Sequence, residues 1–567
     1  MVIRGGRLVL DNAQVNASTS GGEIDITMTK SVEIINGAQI TTTSSGSIKG
    51  GNIVINSPSV TVDGKDSSSP TRLAAETYSA SSLGAGGNIV IRSDSLDLRG
   101  GAEISVSSFG AADAGRVDVT TGSLRVQGSD TSAFNTEITA NASAASGAAI
   151  GAGGEIVIKA RSIEVGNFAQ IVANTLGDAN AGSINITAGA LTLRDSVIST
   201  YSGATGNGGD IRIQSDHLTL DGPNASILAL GIATGRAGLI DITAGSIRLI
   251  HDSTISSSTY GNGAGGNINI TADSIVLDKG TPGVTSGISA TSNQTFEGGD
   301  TTAKGGDISI TTGSLALHAG TLISATTSTT GDGGSINISS GSVTLDGKSS
   351  IQSASLANGK AGTISVKSSQ NVELSGGSTI STSALQSSGG NIRVQAGDEI
   401  RLVDSQITAR AGPGGGGSVT LVAPSLIYLL NSTLTAQAVG DGGNLSIDPV
   451  FFILNNSSLI SKSSSANGGN ITILADFFFQ STSIIDASAP FGLPGTVSVS
   501  APNVDLSGSL VGLPANLLDI ETLLRPDCGV RLAGNISSFI LLGRGGLPIA
   551  PGGFVPSGAF KTPDEGK

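Results

Sequence analysis

Tryptophan is absent from the 567 residues, cysteine occurs once, and aromatic side chains make up only 3%. The lone Cys528 excludes an internal disulfide framework. With so few large rings, a core built around them is excluded as well. Charged residues are scarce at 13%, about half the usual ~25%. This is not the signature of disorder, because hydrophobic residues reach 38% and mean hydropathy is +0.19. Only 16 prolines and no glycine at every third position exclude a collagen-like chain. Basic residues are outnumbered 30 to 44 by acidic ones, giving a net charge of −14. Such a chain lacks the basic stripe that nucleic acid demands, and an anionic membrane surface repels it. No apolar run approaches the ~18 residues of a membrane helix, so no transmembrane segment is expected. The opening Met1-Val2-Ile3-Arg4-Gly5-Gly6-Arg7 has no apolar stretch of the signal-peptide kind.

What is abundant is glycine, 83 residues, and it is periodic. Gly-x-Ile-x-Ile segments recur, as in Gly51-Asn52-Ile53-Val54-Ile55, Gly87-Asn88-Ile89-Val90-Ile91, Gly334-Ser335-Ile336-Asn337-Ile338 and Gly469-Asn470-Ile471-Thr472-Ile473. Seventeen such anchor glycines run from Gly22 to Gly495, and thirteen of the sixteen spacings are 26–29 residues. The long ones, 36, 39 and 40, follow Gly51, Gly115 and Gly266 and mark insertions at roughly 65–83, 127–152 and 281–304.

Within a repeat the apolar period is two: Ile336 and Ile338, then Val343 and Leu345, then Ile351. Three short strands, each with one buried face, separated by Ser-, Gly- and Asp-Gly-rich corners, follow from this pattern. The expected fold is all-β: a single right-handed parallel β-helix of about 17 coils, its hand taken from the general rule for parallel connections. Stacking at ~4.8 Å per coil gives a rod on the order of 80 Å. The anchor glycine is expected to let the chain turn tightly where neighbouring coils press together, and Asn52, Asn88, Asn267, Asn391, Asn444 and Asn470, each following an anchor, are placed to form an amide ladder.

From about Pro424 the repeat shortens and gains Tyr428, Phe451, Phe452 and Phe477-Phe478-Phe479, read as a tapered end with rings filling or covering the core. The rod is assigned to 1–510, a C-terminal cap with a short helix over 513–524 to 511–548, and a disordered tail to 549–567. At the other end the chain starts inside its own solenoid, with no cap ahead of it.

The Gly-Gly-Asn-Ile-x-Ile coils over 1–510, with Asp527-Cys528-Gly529-Val530-Arg531, Ser537-Ser538-Phe539 and Gly543-Arg544-Gly545-Gly546-Leu547-Pro548 near the end, resemble the filamentous haemagglutinin-like exoproteins of two-partner secretion, cyanobacterial type. The resemblance implies a secreted or cell-surface adhesive rod and a partner outer-membrane barrel that exports it. The family's N-terminal secretion domain and signal peptide have no counterpart here. Cell-surface polysaccharide or other cells are the implied partners.

No residue is assigned a catalytic, cofactor-binding or metal-ligating role, and the chain is not expected to be an enzyme. Asp63, Asp221 and Asp346 each head an Asp-Gly turn. Asp210 and Asp307 follow anchors and are read as turn residues. His217, His251 and His318 fall on coils too far apart to converge on a metal. Cys528 has no second Cys or His near it in sequence and reads as a small cap residue. Two other functions compete with the adhesive rod. One is a polysaccharide-active β-helix enzyme, which requires three or more acidic and basic side chains on adjacent coils. The other is an unexported remnant.

Overall fold

Alternating Ile and polar residues can pleat into a strand that buries one face, but a single coil of three such strands has nothing to bury it against. The computed structural model shows how the chain answers this. It describes residues 1–501 except 19–20, 46–47, 66, 79–83, 144–149, 281–285 and 294–301. The chain divides into two units, Met1–Pro502 and Asn503–Lys567. The expected helix and cap over 511–548, the tail and Cys528 lie outside the described residues.

The first unit is a parallel β-solenoid of about 17 turns, and among the described residues it contains no helix. Each coil contributes two arms to one long sheet and a short third strand to a second ladder of seventeen strands. All strand pairings are parallel and join a coil to the next in register, for example Ile211↔Ile240 and Ile240↔Ile268. The first and second expected strands are often one bent strand, as in Arg116–Gln127 and Ser183–Arg194. They separate where a corner residue cannot continue the ladder, as at Pro58 between Ile53–Asn56 and Ser59–Asp63.

Register turns the sequence period into columns. Ile184, Ile211, Ile240, Ile268 and Ile308 stack in one aliphatic column, each fully buried. The third strands supply another, including Ile104, Ile138, Ile171 and Ile198. Near the C-terminal coils Phe452 enters the column of Ile427 and is fully buried, whereas Phe451, Phe477 and Phe479 point outward and are exposed. The aromatic end is therefore only partly core.

The anchor glycines are not turn residues with positive φ. A Cβ on Gly209 would overlap the carbonyl oxygen of Gly182, and one on Gly238 that of Gly209; from Gly51 to Gly495 every anchor meets its predecessor in this way. Backbone, not side chain, fills that corner of the cross-section.

The expected amide ladder takes a different form. Asn444 Oδ1 accepts a hydrogen bond from the backbone N–H of Asn470 (2.9 Å), and Asn470 Oδ1 accepts from Thr496 N–H (2.9 Å). Asp210 and Asp307 do the same toward Leu239 (3.0 Å) and Ser335 (2.7 Å). Side-chain amides do stack at the corner before the third strand, where Asn456 Nδ2 donates to Asn431 Oδ1 (2.8 Å) and Asn431 Nδ2 to Asp404 Oδ1 (2.9 Å). These three residues have φ between 44° and 50°, a conformation that Asn and Asp tolerate best among non-glycine residues.

Candidate binding surface on the third-strand face

The insertions straddle the third strand. In an ordinary coil two residues, 195–196, separate Ser183–Arg194 from Val197–Ser202. In the coil after Gly51 seven residues precede Thr71–Ala74, and in the coil after Gly115 nine precede Glu137–Thr139. Between these two expanded coils lies an ordinary one, whose third strand is Ala102–Ser105. The face of this strand is thus the floor of a trough with longer loops on either side.

Register lines up unusual residues along that floor. Arg72 pairs with Glu103, Glu103 with Glu137, and Glu137 with Gln170. Glu76, fully buried, accepts hydrogen bonds from Arg72 Nη1 (3.3 Å), Tyr78 Oη (3.2 Å) and Ser105 Oγ (2.6 Å). Arg72 Nε is buried without a partner among the described residues. Burial, then the negative charges of Glu76 and Glu137, push the Glu103 carboxyl up to about 7, against the pull of Arg72 and Ser105. Burial alone pushes Glu137 to about 7. Two cavities meet at this pair. One of about 290 Å³ is lined by Pro70, Phe134, Glu103 and Glu137, the other of about 190 Å³ by Glu103, Phe109, Glu137, Ser143, Leu176 and Tyr201. Larger grooves lie elsewhere on the solenoid; one of about 590 Å³ has a floor of anchor-glycine backbone, and its Asp113 and Asp210 carboxylates already accept hydrogen bonds from the next coil.

A second feature follows the corner after the third strand. Single parallel bridges carry the ladder through Thr77, Ser108, Ala142, Thr175 and Ser202, and through Gly231 and Thr259. The residue just after this position repeatedly carries a large apolar side chain that points outward. Tyr78, Phe109, Leu176, Tyr260, Leu356, Leu385 and Val439 are between 39% and 59% exposed. Tyr78 and Phe109 stack with ring centroids 4.9 Å apart.

The residues singled out from sequence lie elsewhere. Asp63 caps its turn through the Lys65 N–H (2.9 Å) and pairs with Arg99 (3.0 Å). Gly222 and Gly347 have the positive φ expected of Asp-Gly turns; Gly64 does not, and its Cβ would overlap Gly100. His251 pairs with Asp221 (2.6 Å), His318 with Asp346 (2.7 Å), and His217 contacts Ser246 (2.9 Å). The three imidazoles are not brought together. Among the described residues no group of three or more His, Cys, Asp or Glu is arranged to hold a metal ion, and no helix is long and apolar enough to cross a membrane.

The acidic column does not show at the regular repeat spacing of 26–29 residues because the insertions stretch the steps to 31, from Arg72 to Glu103, and 34, from Glu103 to Glu137. The usable signal is the Glu/Gln-Ile-Ser/Thr triplet of Gln39-Ile40-Thr41, Glu103-Ile104-Ser105 and Glu137-Ile138-Thr139. Comparison with family models, with curated proteins and with solved structures finds no match for this chain.

Proposed function

We propose that this chain is the structural and adhesive rod of a secreted or cell-surface exoprotein of the filamentous haemagglutinin-like kind, exported through an outer-membrane barrel, with the apolar stripe as its adhesive edge. The stripe carries this reading. Seven exposed large apolar side chains share one register position, on consecutive coils at Tyr78 and Phe109 and at Leu356 and Leu385 and singly elsewhere; they gain nothing for the solenoid's own core, and exposed apolar surface that recurs along one edge supports a site of interaction. A rod repeats that contact many times along its length, which multiplies weak binding into avidity.

We read Glu103 and Glu137 as a binding rather than a catalytic pair, because the rest of the cavity they share is lined by amides, hydroxyls and apolar side chains. Fractionation of the producing cells, with an antibody to residues 300–500, is expected to find the chain at the surface or in the medium; confinement to the cytoplasm refutes the proposal. Beads coated with the purified chain should adhere to cells of the producing organism. Replacing Leu356 and Leu385 by Asp should cut adhesion several-fold without disturbing the β-rich circular dichroism, and unchanged adhesion would remove the stripe from the account.

A further inference from the structure

The apolar stripe has gaps, at Gly203, Asn293, Ser328 and Gly412 among others, and one of them falls where the acidic column passes beneath it. Tyr78 and Phe109 stack on consecutive coils, the next coil offers only Ser143, and the one after that offers Leu176. One missing ring leaves a slot two ladder steps high, roughly 9.6 Å from Phe109 to Leu176 at ~4.8 Å per step. The 190 Å³ cavity occupies this slot. Its apolar ends are Phe109 and Leu176, and Ser143 lies between them. Glu103 and Glu137 share it with Asn141 and Asn174.

The chemistry of this lining selects a ligand. A ring fits between the two apolar ends and can lie on the outer face of Phe109, since the other face is covered by Tyr78. The polar groups to one side both give and take hydrogen bonds. A carboxyl pair held near half-protonation at neutral pH offers a donor and several acceptors, and Asn141 and Asn174 offer amides. Asn141 Oδ1 accepts from the Asn174 N–H (2.8 Å) and Asn174 Oδ1 from the Tyr201 N–H (2.8 Å), so both amides are held in place. Arg72 pairs with Glu76 outside this cavity, and among the described residues lining the cavity there is no Lys or Arg to meet an anionic ligand.

We propose that the slot between Phe109 and Leu176 binds one ring of an uncharged hexose oligosaccharide, stacked on Phe109 with its hydroxyls on Glu103, Glu137, Asn141 and Asn174. The inference rests on the adhesive reading only for where the sugar is met; the binding itself is measured in solution.

The test is titration calorimetry of the full chain with neutral hexasaccharides (cellohexaose, maltohexaose and N-acetylated chitohexaose), alongside hexagalacturonate and the glucosamine hexamer. At least one neutral sugar is expected to bind more tightly than either charged one. Phe109→Ala removes the platform and is expected to weaken binding at least tenfold. Ser143→Phe supplies the missing ring, fills the slot and extends the stack, so it should abolish binding while leaving amide exchange at Ile104 and Ile138 unchanged or slower. This second variant keeps the result interpretable if Phe109→Ala folds poorly. Absence of binding to every neutral sugar, preference for a charged one, or undiminished binding by Ser143→Phe overturns the proposal. Failure of bead adhesion with intact sugar binding would instead count against the adhesive rod alone.

Discussion

Glu137→Gln should stabilise the rod, weakly in acidic solution and strongly above neutrality. The Glu137 carboxyl titrates at about 7 in the folded chain and at 4.5 when unperturbed. Between these values the folded protein keeps a proton that the unfolded chain has released, so stability falls as pH rises from 4.5 to 7 and stays low above it. A shift of about 2.5 at 1.36 kcal/mol per unit makes the cost at pH 8.5 about 3 kcal/mol, and at pH 5 under about 1 kcal/mol. Glutamine never ionises and fits the site: Gln170 occupies the same column one coil on, and Gln39 two coils before Glu103. A long repeat array does not unfold as one cooperative unit, so the measurement should be local. Amide exchange at Ile104 and Ile138, in the strands that carry the pair, should slow in the variant on the order of a hundredfold at pH 8.5 and only a few-fold at pH 5, relative to wild type at each pH. Equal slowing at both values would mean that shape, not charge, is responsible. Faster exchange at pH 8.5 would refute the reasoning outright.

Two further substitutions probe the solenoid itself. Gly209→Ala puts a methyl into the carbonyl oxygen of Gly182, a backbone atom that cannot swing aside; a loss of more than about 3 kcal/mol is expected, seen as proteolytic nicking beside that coil, and a chain that resists protease like wild type would show that the corner can relax. Asn431→Ala breaks both amide bonds of the stack and leaves at φ 50° a side chain without asparagine's tolerance of that conformation, for about 2 kcal/mol in all, while Asn431→Gly should recover roughly half by relieving the backbone. Local amide exchange separates the two contributions, and identical behaviour of the Ala and Gly variants would remove the backbone share.

The solenoid was legible because its determinants repeat. Any one Gly-x-Ile-x-Ile segment is weak evidence, but copies at 26–29 residues force the stacking, and the buried columns then follow from period-two alternation. What the pattern did not reveal lies where it is interrupted or out of phase. Arg72, Glu103 and Glu137 come into register only after the loops ahead of the third strand are subtracted, and sequence spacing hides that. The apolar stripe sits on the outward side of a corner, where an isolated Tyr78 or Leu385 after a small residue looks like noise until the ladder aligns it. The anchor glycine was located correctly, yet its purpose, close approach of successive backbones without positive φ, is a property of two coils together and of neither alone.

Each anchor from Gly51 to Gly495 closes on the carbonyl of the one before it, and the long insertions enter beside the third strand. The consequence is a separation between what can vary and what cannot. Loop length on the third face can drift over generations without any compensating change in the two arms of the long sheet, because register is restored at the next anchor. A whole coil can be duplicated or lost by the same logic, since every junction is the same junction. The molecule is built like a ruled page, its lines fixed and one margin left free for writing.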